Sequence, residues 1–330
     1  MTERLSGRAD STIAAVAGPL RARFQQARLS FWAQSLGMVI LLVVVLASPG
    51  FLARPSILSL LTTVSFIGCV AIGMTLITIS GNIMSFALGA TVGVTAMVFI
   101  LACNLLGFGA GLLVGLLFGS LLTGLQGLLI GWVRANPIIV SIAALALIYG
   151  VTQAFAEKGT IYAELGTVPA AAKGKVAGIP IEFIVFVLAA LIAQFILSAT
   201  RFGRNLLMVG SSFRAAEAVG VSTWRTVTGA YVWAGFFTSL AGVMLAIRYD
   251  SANMDYGVAY DYDAIAAVLV GGTAIGGGNG SAVRTFAGAM VIAAVQVMLL
   301  LRGLRQEWQY LAAGLIVLTV IILQARGSGR

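Results

Sequence analysis

The sequence predicts an all-α membrane protein, a polytopic bundle of about ten transmembrane or re-entrant helices. Hydrophobic residues make up 60% of the chain, whereas charged residues make up only 9%. A soluble domain carries about 25% charged residues, so this chain has too little polar surface to cover itself in water. Apolar runs of about 20 residues recur along the chain, and a helix of that length crosses a bilayer.

The apolar runs set the bounds of the predicted helices. Two of these helices are ambiguous. Residues 264–275 are too few to cross a membrane unless the helix starts earlier, and residues 137–155 are also compatible with a re-entrant segment. The predicted helices are residues 31–48, 57–79, 83–103, 108–133, 137–155, 180–200, 226–247, 264–275, 283–301 and 308–324.

The distribution of positive charge predicts the orientation. If the N-terminus is cytoplasmic and ten helices alternate, 13 of the 20 Lys and Arg residues lie on the cytoplasmic side and the other seven outside. This bias agrees with the positive-inside rule and places both termini in the cytoplasm. Residues 1–30 then form a basic cytoplasmic or interfacial tail, and residues 31–330 form the membrane domain. The loop of residues 200–225 is cytoplasmic, whereas Asp261 and Asp263 fall in an outer loop.

Glycines recur every fourth residue along the helix predicted at residues 108–133. This spacing places a ridge without side chains on one side of the helix, where a neighbouring backbone can approach closely. Glycine in a helix interior costs about 1 kcal/mol relative to alanine, so a long run indicates a packing role. The sequence therefore predicts a tightly packed, central helix with Gly107, Gly111, Gly115 and Gly119 as packing residues.

The predicted helices carry no ionisable residue near their centres. Ion-coupled carriers place such residues at mid-membrane, because coupling needs a group that gains and loses charge there. The polar residues in these helices and at their breaks are neutral, which favours a passage for an uncharged, hydroxylated solute. The candidate pathway residues are Asn82, Ser85, Gln126 and Gln296.

A short basic segment between two predicted spans is the candidate contact with a soluble partner. Residues 213–219 predict a small helix with alanines on one side, and Gly220 follows where a helix usually ends. A small helix held between two spans can insert into a groove on a soluble protein. The candidate docking residues are Phe213, Arg214, Ala215, Ala216, Glu217, Ala218, Val219 and Gly220.

Several classes of function are excluded by composition. The chain has no histidine, and Cys69 and Cys103 lie inside apolar runs, so no metal site and no cofactor are expected. The basic residues at membrane edges are better explained by orientation than by binding to nucleic acid. No GxxxxGK[ST] motif occurs, so any ATP that drives this protein is hydrolysed by another polypeptide.

Four segments resemble the permease subunit of a ribose-type ABC sugar importer. The family carries a cytoplasmic N-x-x-A-A-x-x-S-G-I segment, a G-x-x-Y-E-L-D-A-I-A-A stretch and the following G-G-T and G-G-x-G-S motifs. This chain matches these motifs at residues 212–221, 257–267 and 271–281, with Ser212 and Glu217 differing from the usual residues, and residues 201–205 resemble the family's lead-in to the cytoplasmic loop. It departs from the family at residues 81–85, which read GNIMS where the family usually has G-I-D-L-S.

The resemblance implies a transport subunit of the bacterial inner membrane that is not itself an enzyme. A cytoplasmic ABC ATPase would grip residues 213–220, and a second permease subunit, identical or different, would complete the passage through the lipid. A periplasmic substrate-binding protein would deliver the sugar to the outer face. The candidate residues for docking that protein are Arg54, Arg248, Asp250, Asp255 and Arg302. The alternative interpretation is an ion-coupled secondary transporter or channel.

Overall fold

The fold is given by a computed structural model that describes residues 50–82, 84–155 and 159–327. The tail predicted at residues 1–30 and the helix predicted at residues 31–48 lie outside these residues. The described chain is mostly helical, and seven of its helices are long and apolar enough to cross a membrane. The prediction of a helical membrane bundle is confirmed in this form, whereas the total of about ten remains a prediction.

The helices follow one another with short connections, and the longer loops at one end contain four short strands. β1 pairs with β4 and β2 with β3, each pair antiparallel. The helices are α1 (Arg54–Ile79), α2 (Leu88–Leu106), α3 (Phe108–Val133), α4 (Pro137–Phe155), α5 (Ile181–Ala199), α6 (Arg201–Ser211), α7 (Phe213–Ala218), α8 (Thr223–Tyr249), α9 (Tyr260–Val270), α10 (Ala282–Leu301) and α11 (Gln306–Gly327). The strands are β1 (Thr160–Tyr162), β2 (Lys175–Val176), β3 (Ile179–Pro180) and β4 (Ser251–Asn253).

Two predicted spans are wrong in their bounds because backbone inside the bundle is irregular. The span predicted at residues 83–103 begins only at Leu88, after a non-helical segment in which Gly81 has a φ of +83°. The span predicted at residues 264–275 is α9, which has 11 residues and ends at Val270. A helix of 11 residues is about 17 Å long and cannot cross a hydrocarbon core of about 30 Å. By contrast, α4 is continuous over 19 residues, enough to cross.

The centre of the bundle is α1 rather than α3. Every residue of α1 from 64 to 79 is buried, and the helix packs against α8, α10, α9 and α5. The prediction that the glycine-rich helix is central is wrong, since α3 buries only one side. Its other side is a ridge of exposed leucines, namely Leu113, Leu117, Leu121, Leu125 and Leu129.

The glycines of α3 lie where this helix meets α2 and α8. A Cβ added to Gly115 would lie 3.2 Å from Phe99 Cβ and 3.3 Å from Val243 Cγ2. Gly111 abuts Cys103 of α2, and Gly119 abuts both α2 and α8. Gly107 differs from these three, and its assignment as a packing residue is wrong. It has a φ of +85°, it forms the turn between α2 and α3, and a Cβ there would meet no atom within 4 Å.

We predict that Gly115→Leu lowers the stability of the folded protein by about 1–3 kcal/mol, because the added side chain forces α3 away from α2 and α8. Gly109→Leu is the matched control in the same helix, since a Cβ at Gly109 would enter open space. The midpoint of thermal unfolding and the monodisperse yield in detergent measure the effect. Equal midpoints for the two variants would contradict the packing role of Gly115.

Candidate functional site

One end of the bundle carries the two helices of the predicted partner loop. α6 is amphipathic: Gly203, Leu206 and Val209 are buried. Its N-terminus is capped by Thr200, whose Oγ1 accepts a hydrogen bond from Gly203 N over 3.1 Å. A side-chain cap satisfies one of the N–H groups that a helix start leaves unpaired. The amphipathic pattern indicates a helix that lies along the edge of the bundle rather than crossing it.

The short helix α7 is defined by local signals at both of its ends. Ser212 Oγ accepts a hydrogen bond from Ala215 N over 3.3 Å at its start. At its end, Val221 N donates to Ala216 O over 3.0 Å, and Gly220 has a φ of +82°. Glycine adopts this left-handed conformation without the steric penalty of a Cβ. The helix therefore stops within one residue of the position that Gly220 predicts.

Side-chain contacts hold α7 against the rest of the bundle. Glu217 forms an ion pair with Arg134 over 2.7 Å and accepts a hydrogen bond from Thr223 over 3.2 Å. The Arg134 guanidinium also lies 5.1 Å from the centroid of the Phe213 ring. Ala216 is buried beneath the helix. Glu217, predicted as a docking residue, thus fixes α7 to the turn between α3 and α4 and to the start of α8.

The outward side of α7 is exposed. Val219 has 71% of its surface accessible, an unusual exposure for an apolar side chain of this size. Arg214, Ala215 and Ala218 are also exposed. The helix therefore presents a small apolar surface beside a positive charge, in an orientation that its own contacts determine.

Behind α7, three segments meet through glycine backbones. Gly278 N, in the loop between α9 and α10, donates a hydrogen bond to Ile79 O at the end of α1 over 3.0 Å. A Cβ added to Gly210 of α6 would lie 2.5 Å from Gly278 N, and one added to Gly81 would lie 3.1 Å from Gly210 Cα. We call this contact the glycine junction. It joins α6 to α1 and to the α9–α10 loop without intervening side chains.

The opposite end of the bundle carries the five residues predicted to dock a binding protein. Two of them have partners within the chain. Arg248 pairs with Glu182 over 3.2 Å, and Asp250 pairs with Lys173. The other three, Arg54, Asp255 and Arg302, are exposed.

The four predicted pathway residues are not brought together. Gln296 lines a cavity of about 330 Å³ at the same end as Arg248 and Asp255, which we call the outer cavity. Gln126 lies elsewhere, buried in α3, where neither polar atom of its amide has a hydrogen-bond partner among the described residues. Asn82 and Ser85 lie in the irregular segment between α1 and α2. Asn82 Nδ2 donates to Ser80 Oγ over 2.7 Å, and Ser85 Oγ accepts from Ala87 N over 3.3 Å.

Two carboxylates that sequence reasoning assigned to an outer loop are inside the bundle. Asp261 Oδ1 accepts a hydrogen bond of 2.7 Å from Gly89 N, at the start of α2. Asp263 is only 7% exposed and lines the outer cavity. The sequence could have predicted this position, because an apolar run follows the two acids directly. Acids one to three residues before such a run belong to the first turn of its helix.

The position of Asp263 also weakens the sequence-based argument against an ion-coupled carrier. The absence of buried ionisable groups had argued against an ion-coupled carrier, and Asp263 is such a group. The choice between the two transport classes therefore depends on comparison with known proteins.

These comparisons are consistent with one another. The model of the family described as branched-chain amino acid transport system / permease component matches residues 56–321. The chain is 32% identical to the ribose import permease protein RbsC of Bacillus subtilis, over 89% of this chain and 92% of that protein. It is 27% identical to RbsC of Haemophilus influenzae, over 86% of this chain and 90% of that protein. No solved structure matches the chain.

A third relative is named for a different substrate. The autoinducer 2 import system permease protein LsrD of Escherichia coli is 28% identical, over 78% of this chain and 79% of that protein. The predicted resemblance to ribose-type importer permeases is confirmed by these relatives, and nothing in them favours the ion-coupled alternative. The chain therefore belongs to the branched-chain amino acid transport system permease family, as a multi-pass inner-membrane transport subunit rather than an enzyme.

Proposed function

We propose that this subunit forms the passage for a sugar, or a similar small hydroxylated neutral solute, in an ATP-binding-cassette importer. The observation that carries the proposal is α7, an exposed helix in a fixed orientation, in a chain whose relatives are import permeases. Hydrolysis of ATP takes place on a separate cytoplasmic subunit. The assignment of a sugar substrate rests on the relatives, which are named as importers of ribose and of autoinducer 2.

The ATPase docks on residues 213–220. Val219, Ala215 and Ala218 supply an apolar contact surface, and Arg214 supplies charge at its edge. The Glu217–Arg134 pair keeps the helix in one orientation on the bundle. A rigid docking element passes on a displacement of its partner, whereas a flexible loop would absorb it.

The orientation follows from the same assignment. If α7 meets a cytoplasmic ATPase, the opposite end of the bundle faces the periplasm. Arg201, Arg204, Arg214 and Arg225 lie on or beside α6 and α7, which agrees with the positive-inside rule. The periplasmic end then presents Arg54, Asp255 and Arg302 to a substrate-binding protein.

The complete passage needs a second permease subunit, identical or different. An apolar groove of about 570 Å³ between α9 and α11 supports such a neighbour, with Tyr262, Leu269 and Val317 among its lining residues. Exposed apolar patches of this kind mark protein or lipid contacts.

Uptake into proteoliposomes that contain the complete importer tests the proposal as a whole. Sugar uptake is expected to require ATP and to continue when a protonophore removes the proton gradient. Uptake that persists without the ATPase and stops with the protonophore would identify an ion-coupled carrier instead.

We predict that Val219→Asp reduces co-purification of the ATPase subunit by about tenfold or more, because a carboxylate replaces an apolar contact. Leu165→Asp is the matched control, since Leu165 is fully exposed in the loop between β1 and β2 at the other end of the bundle. Both variants are expected to fold, because neither side chain is buried. If Val219→Asp recovers as much ATPase subunit as the wild type does, α7 is not the docking element.

We also predict that Arg302→Glu and Arg248→Glu have different effects. Arg302 is exposed with no side-chain partner among the described residues, so its reversal is expected to slow association with the binding protein by about three- to tenfold. Arg248 neutralises Glu182, whose side chain is only 9% exposed, so its reversal is expected to lower the midpoint of thermal unfolding. Association kinetics and thermal unfolding of both variants provide the comparison. A stability loss confined to Arg302→Glu would contradict both assignments.

A further inference from the structure

The outer cavity extends deep into the bundle. Its lining comes from the C-terminal end of α8 with the loop that follows, and from α9, α10 and α11. Its inner wall includes Ile67, which lies half way along α1. A solute that enters this cavity from the outer end would therefore reach the middle of α1.

Asp263 lines this cavity as a buried carboxyl group. The residue is 7% exposed, and its Oδ1, which is enclosed, has no hydrogen-bond partner among the described residues. Gln296 also lines the cavity, and its side chain is a hydrogen-bond partner of the Asp263 carboxyl group. A buried acceptor without a partner is destabilising, more so when it is charged. A ligand that donates a hydrogen bond to Asp263 would remove this penalty.

Aromatic rings line the rest of the outer cavity. The rings of Tyr249 and Tyr256 have centroids 5.4 Å apart. The hydroxyl groups of Tyr256 and Tyr310 are already engaged, with Ser251 over 2.6 Å and with Gln306 over 2.7 Å. Tyr256 and Tyr310 therefore offer mainly ring surface to a ligand, and carboxyl and amide groups of the lining offer hydrogen-bonding capacity.

The groups that line the outer cavity indicate which chemical class of ligand it would bind. Carboxylate and amide oxygens accept hydrogen bonds from hydroxyl groups, and aromatic rings give flat surfaces for the C–H face of a ring. No Lys or Arg occurs among the described residues that line the cavity, whereas Asp255 and Asp263 both do. An anionic solute would bring a negative charge to this acidic lining without a counter-charge, which disfavours it.

We propose that the outer cavity is a binding subsite for a cyclic, polyhydroxylated, uncharged solute, in which Asp263 and Gln296 bind adjacent hydroxyl groups and the tyrosine rings cover the apolar face. This proposal rests on the proposed function, because it gives a sugar a resting place on its way through the subunit. It assigns to Asp263 and Gln296 a shared role in binding the hydroxyl groups of the solute.

Cysteine labelling of the purified full-length chain tests occupancy. Gln309→Cys places a thiol on the cavity wall, and Leu165→Cys places one at the same end outside the cavity. The native Cys69 and Cys103 are buried, which keeps background labelling low. D-ribose, D-glucose and myo-inositol are the probes, and L-leucine and L-lysine are the comparison solutes. Protection of Gln309→Cys from a maleimide by at least one hydroxylated probe, with none for Leu165→Cys, is expected.

Transport by the complete importer provides the second readout. Asp263→Leu and Gln296→Leu are each expected to lower uptake at low sugar concentration by about tenfold or more, through loss of a hydrogen bond to the solute. Glu164→Leu is the control, an exposed acid at the same end of the chain. Co-purification of the ATPase subunit with each variant checks that the complex assembles. If Asp263→Leu does not fold, Asp263→Asn tests the carboxyl group at nearly constant volume, because the amide replaces one acceptor oxygen by a donor.

The outcomes separate this proposal from the function on which it rests. If the wild-type importer moves no sugar with ATP, the proposed function fails. If wild-type uptake is normal, the subsite is overturned by wild-type uptake in both leucine variants. It is also overturned if no hydroxylated probe protects Gln309→Cys, or if only L-leucine or L-lysine does.

Discussion

The hydrogen bond between Asp261 and the backbone of Gly89 is the contact on which the interior of this protein depends. It joins the starts of α2 and α9, two helices that begin inside the bundle. A helix start leaves backbone N–H groups unpaired, and a bilayer core has no water to satisfy them. The carboxyl group accepts one of these hydrogen bonds. Interrupted backbone is therefore tolerated at this depth.

The same contact determines what α9 presents to the outer cavity. Asp261 and Asp263 are separated by one residue, yet they contact different partners. Asp261 reaches the start of α2, whereas Asp263 lies on the cavity wall with Gln296 of α10. Close approach of Gly257 to the Gly89 carbonyl strengthens the arrangement, because two glycines allow the backbones to touch. One buried carboxylate thus stabilises the fold and leaves the other available for a ligand.

The sequence predicted those features whose causes are local. Ser212 and Gly220 define α7 from its own ends, and the apolar runs located every described long helix. The spacing of Gly111, Gly115 and Gly119 predicted contact with neighbours, but the exposed leucines between them show that contact on one side does not make a helix central. The partners of Asp261 could not be predicted in this way, because Gly89 lies 172 residues away in the chain. Periodicity reports average burial and carries no information about which distant group satisfies a polar atom.

The glycine junction has a geometric consequence for the opposite end of the molecule. Its contacts are mainly between backbones, so little side-chain rearrangement there can take up a displacement. A shift at the end of α6 must pass to the loop from which α10 begins. With 20 residues, α10 is about 30 Å long, so turning it by about two degrees at that inner origin swings its far tip by about 1 Å. An ångström is enough to break or restore a hydrogen bond between a carboxyl group and an amide that face one ligand.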